Sequence, residues 1–342
     1  MHYIGIVGAG NIARLHAQAI QQLPNATLVG FCDNGSGRAR KLANEFQVKG
    51  FADVDRMLND AGITIVLLAT PSGLHAEATI AAAKARKHVL CEKPLEITGE
   101  RIEQMVAAHE AAGTRLGCIF NYRYEDSVNA IRQALDTRRL GRITHASVQV
   151  PWWRDPEYYA GNWRGTLELD GGGALMNQSI HMIDLLQYLL GPVFSLFAYT
   201  ATQVHNIEAE DTAVAVLHMA SGALATVYGS TASYPGQARD MLITGTRGTI
   251  RQTNGEITVW QFADEQPIDA EIRANIAQPS DAKGASNPMS IAHLPHQRNI
   301  AAFLEAVKSG APFEIEGKEA RKAVEIITAI YRSARTGMEI RL

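Results

Sequence analysis

Short apolar runs alternate with helical patterns through the first third of the chain, and this alternation constrains the fold more than any other feature. The first apolar run, residues 3–7, ends at the turn Gly8-Ala9-Gly10, and apolar residues then recur at helical spacing over residues 12–20. Further strands are predicted over residues 27–32, 63–69, 88–91 and 115–120, and helices over about 36–46, 75–86 and 99–112. Such alternation favours a doubly wound parallel sheet, so this part of the chain is predicted to be α/β.

The pattern changes after Tyr122. Predicted strands there are joined by short turns that carry glycine, such as Ser221-Gly222 and Asn254-Gly255, which is typical of antiparallel hairpins. The strands are predicted over residues 143–150, 193–203, 212–219, 223–228, 239–244, 249–252 and 257–261, the helices over about 127–135, 174–190, 296–309 and 318–336, and a long loop over 263–295. The 342 residues also exceed the roughly 150 of a single domain.

We therefore predict two domains. Residues 1–122 are expected to form the parallel doubly wound domain, and residues 123–342 an α+β domain with an open, mainly antiparallel sheet. The last helix is expected to pack back on the first domain.

Charge and cysteine content exclude several classes of protein. The chain has 32 Lys and Arg against 35 Asp and Glu, a net charge of −3, and therefore lacks the basic excess that nucleic-acid binding rewards. No apolar run approaches the roughly 18 residues of a membrane span, and no cleavable leader precedes the first predicted strand. Cys32, Cys91 and Cys118 show no paired spacing, which favours a reducing, cytoplasmic setting. The cysteines and histidines show no metal-ligand spacing, so no metal site is predicted.

The turn Gly8-Ala9-Gly10-Asn11-Ile12-Ala13 fits the pattern G-x-G-x-x-(G/A) between a strand and a helix. Its glycines permit a tight turn and let a pyrophosphate approach a helix N-terminus. Asp33 follows the second strand, where a carboxylate can accept hydrogen bonds from the adenosine ribose. We predict an NAD site, because Asp33 would repel the ribose phosphate of NADP. Arg38 and Arg40 keep NADP as an alternative, since a guanidinium can neutralise that phosphate.

Two further loops follow strands of the same predicted sheet. Thr70-Pro71-Ser72 follows the strand over residues 63–69, and Glu92-Lys93-Pro94 follows the strand over 88–91. Both loops should leave the carboxyl edge of the sheet, where ligands of open α/β folds bind. Lys93 is therefore predicted to face the cofactor. The structural alternative is a solvated surface lysine.

A second concentration of polar residues lies at the start of the helix predicted over residues 174–190. Three glycines, Gly171 to Gly173, precede it, and Asn177, His181 and Asp184 follow at spacings of four and three that place them on one helix face. His181 is the natural candidate for a base, and the glycines would let another group approach the helix start. The alternative is the solvent-facing side of an amphipathic helix.

An aromatic segment, residues 152–164, precedes this helix. It contains three of the four tryptophans, Trp152, Trp153 and Trp163, together with Tyr158, Tyr159, Arg154 and Arg164. Flat apolar faces beside guanidinium groups suit a sugar ring with hydroxyl and anionic substituents. A loop that packs on a partner subunit is the alternative.

In this order, the motifs resemble those of the Gfo/Idh/MocA family of NAD(P)-dependent sugar and polyol oxidoreductases. The resemblance covers essentially the whole chain. It rests on the glycine turn, Asp33, Thr70-Pro71-Ser72 with His75, Glu92-Lys93-Pro94, Asn121-Tyr122-Arg123, and Gly171-Gly172-Gly173 leading to His181 and Asp184. It implies a Rossmann domain, a C-terminal domain whose open sheet forms homodimers or homotetramers, and a site at the domain junction.

The resemblance also assigns residues to the site. Lys93, with a cis Lys93–Pro94 bond, and His181 take the catalytic positions, with Asn177 beside them. The residues expected to bind NAD are Gly8, Gly10, Asn11, Ile12, Asp33, Thr70, Pro71, His75, Glu92 and Lys93. The residues expected to contact the carbohydrate substrate are Arg123, Trp153, Trp163, Arg164, Asn177 and His181.

Asn177 departs from the family pattern, because many relatives carry aspartate there. An aspartate would stabilise a protonated His181, whereas a neutral asparagine can only orient the ring. Asparagine also occurs in one branch of the family, whose members oxidise carbon 3 of nucleotide-linked hexuronates and of glycosides. The sequence resembles that branch in its run from Pro151 through Trp163-Arg164-Gly165 to Asn177-Gln178 and His181.

These observations predict an NAD-dependent dehydrogenase that takes a hydride from a secondary ring hydroxyl of a sugar, glycoside, uronate or cyclic polyol. His181 is expected to accept the hydroxyl proton while Lys93 polarises the oxygen, although Lys93 lowered in pKa by burial could itself be the base. Two alternatives are a redox-assisted glycoside hydrolase or lyase that retains its NAD, and a cofactor-binding regulator without turnover.

Overall fold

The computed structural model describes residues 1–161, 163–274, 276 and 293–342. The chain divides into two compact units, one formed by Met1–Asn121 with Ala292–Val324 and the other by Tyr122–Ile291 with Glu325–Leu342. Among the described residues, no helix is both long and apolar enough to cross a bilayer.

The first unit is built on a six-stranded sheet in the order β3-β2-β1-β4-β5-β6, with every neighbouring pair parallel. Its strands are β1 (His2–Val7), β2 (Ala26–Cys32), β3 (Lys49–Phe51), β4 (Ile65–Leu68), β5 (His88–Cys91) and β6 (Leu116–Cys118). The helices between them are α1 (Asn11–Gln21), α2 (Arg38–Phe46), α3 (Val54–Leu58), α4 (His75–Lys84) and α5 (Gly99–Ala112). This topology confirms the predicted α/β class.

Burial on both faces of the sheet explains the short apolar runs of the sequence. All four residues of β4 are at most 1 % exposed, as expected for a central parallel strand with helices on each side. Strand β3 was not predicted, because it has only three residues and two of them are exposed. The carboxyl ends of β1, β4 and β5 lie at one edge of the sheet because these strands are parallel.

The second unit contains an eight-stranded mixed sheet in the order β13-β12-β11-β7-β10-β9-β8-β14. Its elements are α6 (Asp126–Asp136), β7 (Ile143–Pro151), α7 (Ile180–Leu190), β8 (Val193–Ala201), β9 (Thr212–Met219), β10 (Leu224–Ser230), β11 (Asp240–Gly245), β12 (Gly248–Thr253), β13 (Glu256–Phe262) and α8 (Pro267–Ala274). The chain then forms α9 (His293–Ser309), α10 (Gly317–Thr336) and β14 (Ile340–Arg341). Strands β7 and β10 pair in parallel and the other pairs of the described residues are antiparallel, which confirms the mainly antiparallel sheet.

The prediction of a loop over residues 263–295 is wrong at its two ends. Helix α8 lies within it, and α9 already begins at His293. Asp269 of α8 accepts hydrogen bonds from the Arg139 guanidinium at 2.6 and 2.7 Å and from Trp260 Nε1 at 2.7 Å. These contacts with residues outside the helix anchor α8 in the second unit. Residue 275 and residues 277–292 of the predicted loop lie outside the described residues.

The helix predicted over residues 174–190 is not α-helical throughout. Its first turn, Ala174–Ser179, is a π-helix, and α7 follows from Ile180. The carboxylate of Glu210 accepts hydrogen bonds from the backbone N–H groups of Gly173 and Leu175, at 3.1 and 2.7 Å. A widened first turn with this external cap differs from the regular α-helix that residue spacing predicts.

Candidate functional site

The glycine turn joins β1 to α1 and is shaped for a close ligand. Gly8 has φ +111°, and a Cβ there would overlap the carbonyl oxygen of Ala69. A Cβ on Gly10, in contrast, would meet no atom of the described residues within 4 Å. Gly10 caps α1 with no side-chain hydrogen bond, so the first N–H groups of the helix have no side-chain cap. Open space in front of a helix N-terminus fits the pyrophosphate of NAD.

Asp33 lies just beyond the carboxyl end of β2. Its carboxylate accepts hydrogen bonds from the N–H groups of Gly35 and Ala39, at 3.0 and 2.9 Å, and from Ser36 Oγ at 2.6 Å. Burial acts to raise the pKa of Asp33, but these hydrogen bonds outweigh it and lower that pKa. The side chain is therefore held as a carboxylate, the form that accepts hydrogen bonds from ribose hydroxyls. Arg38, the first residue of α2, donates from Nε to Ser36 Oγ at 3.1 Å, which places a guanidinium next to this loop.

Lys93 follows β5 at the same sheet edge, and its backbone is fixed by Glu92. The Glu92 carboxylate accepts the backbone N–H of Lys93 at 3.0 Å and lies 2.6 Å from Nε2 of the buried His16 on α1. Burial acts to raise the pKa of Glu92, but the hydrogen bond and charge of His16, with His296 and Lys93 nearby, lower that pKa to about 2. The Lys93–Pro94 peptide bond is cis.

His75 links the two loops at this edge. It is 1 % exposed, with Nδ1 3.0 Å from the carbonyl oxygen of Pro94 and Nε2 3.1 Å from that of Thr70. The imidazole therefore contacts backbone on both sides, whereas Thr70, Pro71 and Lys93 are partly exposed. In this structure His75 connects the loops that carry those residues.

In the second unit, His181 lies in the first turn of α7 and is 9 % exposed. Its ring stacks on Tyr122, with centroids 4.4 Å apart and an interplanar angle of 27°. The guanidinium of the buried Arg239 lies 3.8 Å from the centroid of Tyr122, and Glu125 forms an ion pair with Arg239. Aromatic stacking of this kind fixes the plane of the imidazole.

Asp184 and Arg123 form a bidentate ion pair. Arg123 Nε and Nη2 donate to the Asp184 carboxylate at 2.7 and 2.5 Å, and both residues are at most 3 % exposed. On the polar face of the predicted helix, His181 and Asp184 are therefore buried rather than solvent-facing, whereas Asn177 is partly exposed. Arg123, which the sequence suggested for substrate binding, pairs with Asp184 and connects α7 to the segment that follows Tyr122.

Asn177 lies in the π-helical turn and contacts Asp170. Its Nδ2 donates to Asp170 Oδ1 at 2.5 Å, and its Oδ1 accepts from Gln178 Nε2 at 2.9 Å. Gln178 Oε1 in turn accepts from Arg154 Nη2 at 2.9 Å. Asn177 was predicted as a site residue from the sequence, whereas Asp170 and Gln178 were not, because their local spacing does not show which side chains they meet.

The aromatic segment contributes Trp153, Trp163 and Arg164 to this unit. Trp153 Nε1 donates to Asp155 Oδ1 at 3.0 Å, and its ring packs 5.8 Å from that of His205. The Arg164 guanidinium lies 5.2 Å from the Trp163 ring and 4.6 Å from the Tyr158 ring. Trp153, Trp163 and Arg164 are each partly exposed, so they can contact a ligand.

A parallel sheet with an open glycine turn and a carboxylate after its second strand places the first unit in the class of dinucleotide-binding Rossmann domains. The family model described as oxidoreductase family, NAD-binding Rossmann fold, matches residues 3–120, and the model described as GFO/IDH/MocA C-terminal domain matches residues 128–251. The chain belongs to the Gfo/Idh/MocA family, as the sequence motifs predicted.

Similar proteins of known structure or activity support this assignment. A WlbA dehydrogenase from Bordetella pertussis, crystallised with NADH and UDP-GlcNAcA, is 35 % identical with a TM-score of 0.91 over 100 % of this chain and 97 % of that one. A myo-inositol 2-dehydrogenase from Thermotoga maritima is 25 % identical over 99 % of this chain and 98 % of its own length. A glucose-6-phosphate 3-dehydrogenase from Bacillus subtilis is 34 % identical over 62 % of this chain and 60 % of its own. The chain is an NAD-dependent dehydrogenase that acts on hydroxyl groups of a sugar or polyol.

Proposed function

We propose that this dehydrogenase oxidises a secondary ring hydroxyl, at carbon 3, of a nucleotide-linked hexuronate. The observation that carries the chemistry is the buried imidazole of His181, which is stacked on Tyr122 at the start of α7. A neutral imidazole is a suitable proton acceptor in general base catalysis. In our proposal it removes the proton of the reacting hydroxyl.

Lys93 acts on the same hydroxyl in this proposal. As an ammonium it would donate to the reacting oxygen and stabilise the negative charge that develops there. Glu92 accepts a hydrogen bond from the backbone N–H of Lys93 and so fixes its position. His75 contacts the backbone carbonyl groups of Pro94 and Thr70, one in each of the two loops at the carboxyl edge of the sheet. If the ammonium is desolvated when substrate binds, Lys93 takes the proton and His181 orients the sugar.

The cofactor would be held by the glycine turn and by Asp33. Gly8, Gly10, Asn11 and Ile12 present backbone at the start of α1, and Thr70, Pro71, His75 and Glu92 belong to the adjoining loops at the carboxyl edge. Bound NAD supplies the acceptor for the hydride that leaves the sugar carbon. Arg38 is hydrogen-bonded to Ser36 beside Asp33, and its guanidinium could neutralise the ribose phosphate of NADP. Both cofactors are therefore compared in the experiment below.

The substrate class is supported by the aromatic segment and by one relative. Arg164, between the rings of Trp163 and Tyr158, offers a guanidinium to a carboxylate or phosphate, and Trp153 offers an apolar face to a sugar ring. The WlbA dehydrogenase, similar over the whole chain, was crystallised with UDP-GlcNAcA, a nucleotide-linked uronate. Arg123 would act through Asp184 rather than on the substrate.

A substrate panel tests this proposal. UDP-linked hexuronates, inositols, glucose 6-phosphate and simple glycosides are each assayed with NAD and with NADP, and NADH absorbance is followed together with product analysis. We expect NADH to accumulate fastest with a UDP-hexuronate and NAD. Faster oxidation of an uncharged polyol would overturn the substrate class, and glycoside cleavage without net NADH would indicate a redox-assisted hydrolase or lyase.

The catalytic assignments have their own test. Lys93→Met and His181→Ala should each lower kcat by roughly 100- to 10,000-fold, the usual contribution of a positioned proton-transfer group, with NADH affinity nearly unchanged. Lys84→Met, a surface lysine on α4, is the matched control and should keep full activity. Wild-type turnover in both site variants would refute the assignments.

We further propose that the protein is a cytoplasmic homodimer or homotetramer. The outer face of the second sheet exposes large apolar side chains on adjacent strands, which favours burial against a second copy. The three cysteines are buried thiols, which suits a reducing compartment.

A further inference from the structure

Two buried opposite charges in the second unit are joined by two side-chain amides. The chain of hydrogen bonds runs from Arg154 through Gln178 and Asn177 to Asp170, with donor-to-acceptor distances of 2.9, 2.9 and 2.5 Å. Arg154 is 2 % exposed and Asp170 is 1 % exposed. The series of hydrogen bonds therefore begins and ends at a buried ionisable group. Hydrogen bonds to charged groups are strongest where solvent is excluded.

The charged groups of Arg154 and Asp170 determine which end of each amide, oxygen or NH₂, points toward them. A guanidinium only donates, so the Gln178 group next to Arg154 is the carbonyl oxygen and its NH₂ points onward to Asn177. A carboxylate only accepts, so Asn177 presents its NH₂ to Asp170 and its oxygen to Gln178. The Asn177 amide is therefore held from both sides, by the Asp170 carboxylate and by the Gln178 NH₂ group that Arg154 orients.

Asp170 also reaches the loop that precedes the helix. Its second oxygen, Oδ2, accepts the backbone N–H of Gly165 at 2.9 Å. The carboxylate thus bridges the end of the aromatic segment and the π-helical turn. Asn177, which is partly exposed, lies four residues before His181 on the continuous helix.

We propose that Asp170 is a positioning residue for the dehydrogenase reaction, and that its buried carboxylate, together with Gln178, holds the Asn177 amide in the orientation in which it meets the substrate. This inference rests on the proposed function, because it takes Asn177 as a residue that touches the sugar. Asp170 itself contacts neither substrate nor cofactor and acts through Asn177.

Exchanging the carboxylate and the amide between positions 170 and 177 tests the proposal. In Asp170→Asn the residue at 170 has a single acceptor oxygen for two donors, Gly165 N–H and Asn177 Nδ2, so one of these two hydrogen bonds is lost and the Asn177 amide is held less firmly. In Asn177→Asp two carboxylates face each other and one must take up a proton. In the double variant Asp170→Asn/Asn177→Asp the new amide can again accept from Gly165 and donate across, and the new carboxylate can accept from Gln178. The three hydrogen bonds named here are therefore available in the double variant.

Each single variant should lower kcat about 100-fold with little change in the KM for NAD, the size of effect expected when a substrate-positioning group is misplaced. The double variant should recover to within about tenfold of wild type, so the two losses are strongly non-additive. The control is Asp269→Asn. Asp269, on α8, is another buried carboxylate of the same unit and pairs with Arg139. This variant should lower thermal stability without lowering kcat. A wild-type kcat in Asp170→Asn, or a double variant as slow as the slower single variant, would overturn the proposal.

A measurement without substrate separates this inference from the proposed function. In ¹⁵N-labelled protein the side-chain NH₂ of Asn177 is identified as the signal lost in Asn177→Ser. We expect one of its protons at low field in the wild type, because it is hydrogen-bonded to a carboxylate, and a shift to the ordinary position in Asp170→Asn. If no sugar of the panel is oxidised but this signal behaves as expected, the proposed function fails while Asp170 is still seen to fix Asn177. An unchanged signal in Asp170→Asn would contradict the inference whatever the substrate.

Discussion

Glu210 is a buried carboxyl group at the start of the helix that carries Asn177 and His181. It accepts hydrogen bonds from two backbone N–H groups of that helix start and from the Tyr331 hydroxyl at 3.0 Å. Burial nevertheless raises the pKa of Glu210 to about 7, because the hydrogen bonds only partly offset the loss of solvation. A side chain that caps the helix therefore changes charge near neutral pH.

This pKa predicts a dependence of stability on pH. The folded state binds the Glu210 proton more tightly than the unfolded state, so the stabilisation from protonated Glu210 is complete below pH 4.5 and is lost as the pH rises through about 7. Relative to Glu210→Gln, which stays neutral, the wild-type free energy of unfolding should fall over that interval by roughly 3 kcal/mol. Denaturant unfolding of both proteins between pH 5 and about 8 measures it, and a constant difference would contradict the prediction.

At the scale of elements, the strand-to-helix turns decide where a ligand can come close. In the turn between β1 and α1, Gly8 is required by its own backbone and by the adjacent Ala69 carbonyl, whereas Gly10 faces open space. The glycines before α7 serve a different purpose. A Cβ on Gly173 would overlap the carbonyl oxygen of Glu210, and one on Gly172 the hydroxyl of Tyr331, so these two glycines allow close packing of protein on protein.

The two glycines of the first turn should therefore respond differently to the same substitution. Gly10→Ala should keep the melting temperature of the wild type but weaken NADH binding about tenfold or more, or about 1.4 kcal/mol, because the methyl group occupies space intended for the pyrophosphate. Gly8→Ala should instead destabilise the fold, by at least about 1–3 kcal/mol from backbone strain alone. Thermal unfolding and fluorescence titration with NADH distinguish them. Unchanged NADH affinity in Gly10→Ala would argue against the pyrophosphate site.

At the scale of the whole molecule, one face of the second sheet exposes apolar side chains that a single copy of the protein does not cover. Successive residues of β9 alternate between buried and exposed, which is the pattern of a strand with one covered face. The exposed residues on this face include Phe194 and Tyr199 on β8, Val214 and Val216 on β9, and Leu224 on β10, all at least 44 % exposed. Contiguous apolar side chains of this kind mark an interface in most proteins.

A charge on this face should separate the subunits. Val216→Glu places a carboxylate among apolar side chains that we expect to be buried between copies, where its desolvation would cost several kcal/mol. Light scattering on the wild type should report a dimer or tetramer, and on the variant a smaller species. Val204→Glu is a matched control, because Val204 is 52 % exposed against 53 % for Val216 but lies outside the strands. A monomeric wild type, or dissociation of both variants alike, would rule out this interface.

Much of the fold was readable from the sequence because the relevant signals are local. Helix α5 and strand β9 were predicted with their observed bounds, since apolar periodicity and flanking turn residues lie within a few positions of each other. The glycine turn and Asp33 were found for the same reason. Helix α8 and strand β3 were missed, because one depends on the distant Arg139 and the other is mostly exposed.

The same distinction between local and long-range signals holds for the candidate site. Sequence by itself determined the parallel sheet, the glycine turn and the choice of Lys93, Asn177 and His181 as candidates, because these follow from residue types at short spacing. Only the tertiary structure decided that Asp184 pairs with Arg123, 61 residues away, that His181 stacks on Tyr122, and that Asp170 meets Asn177. The reason is physical: a buried polar side chain must find a partner wherever packing brings one, and that choice is made by contacts between elements rather than by neighbours along the chain.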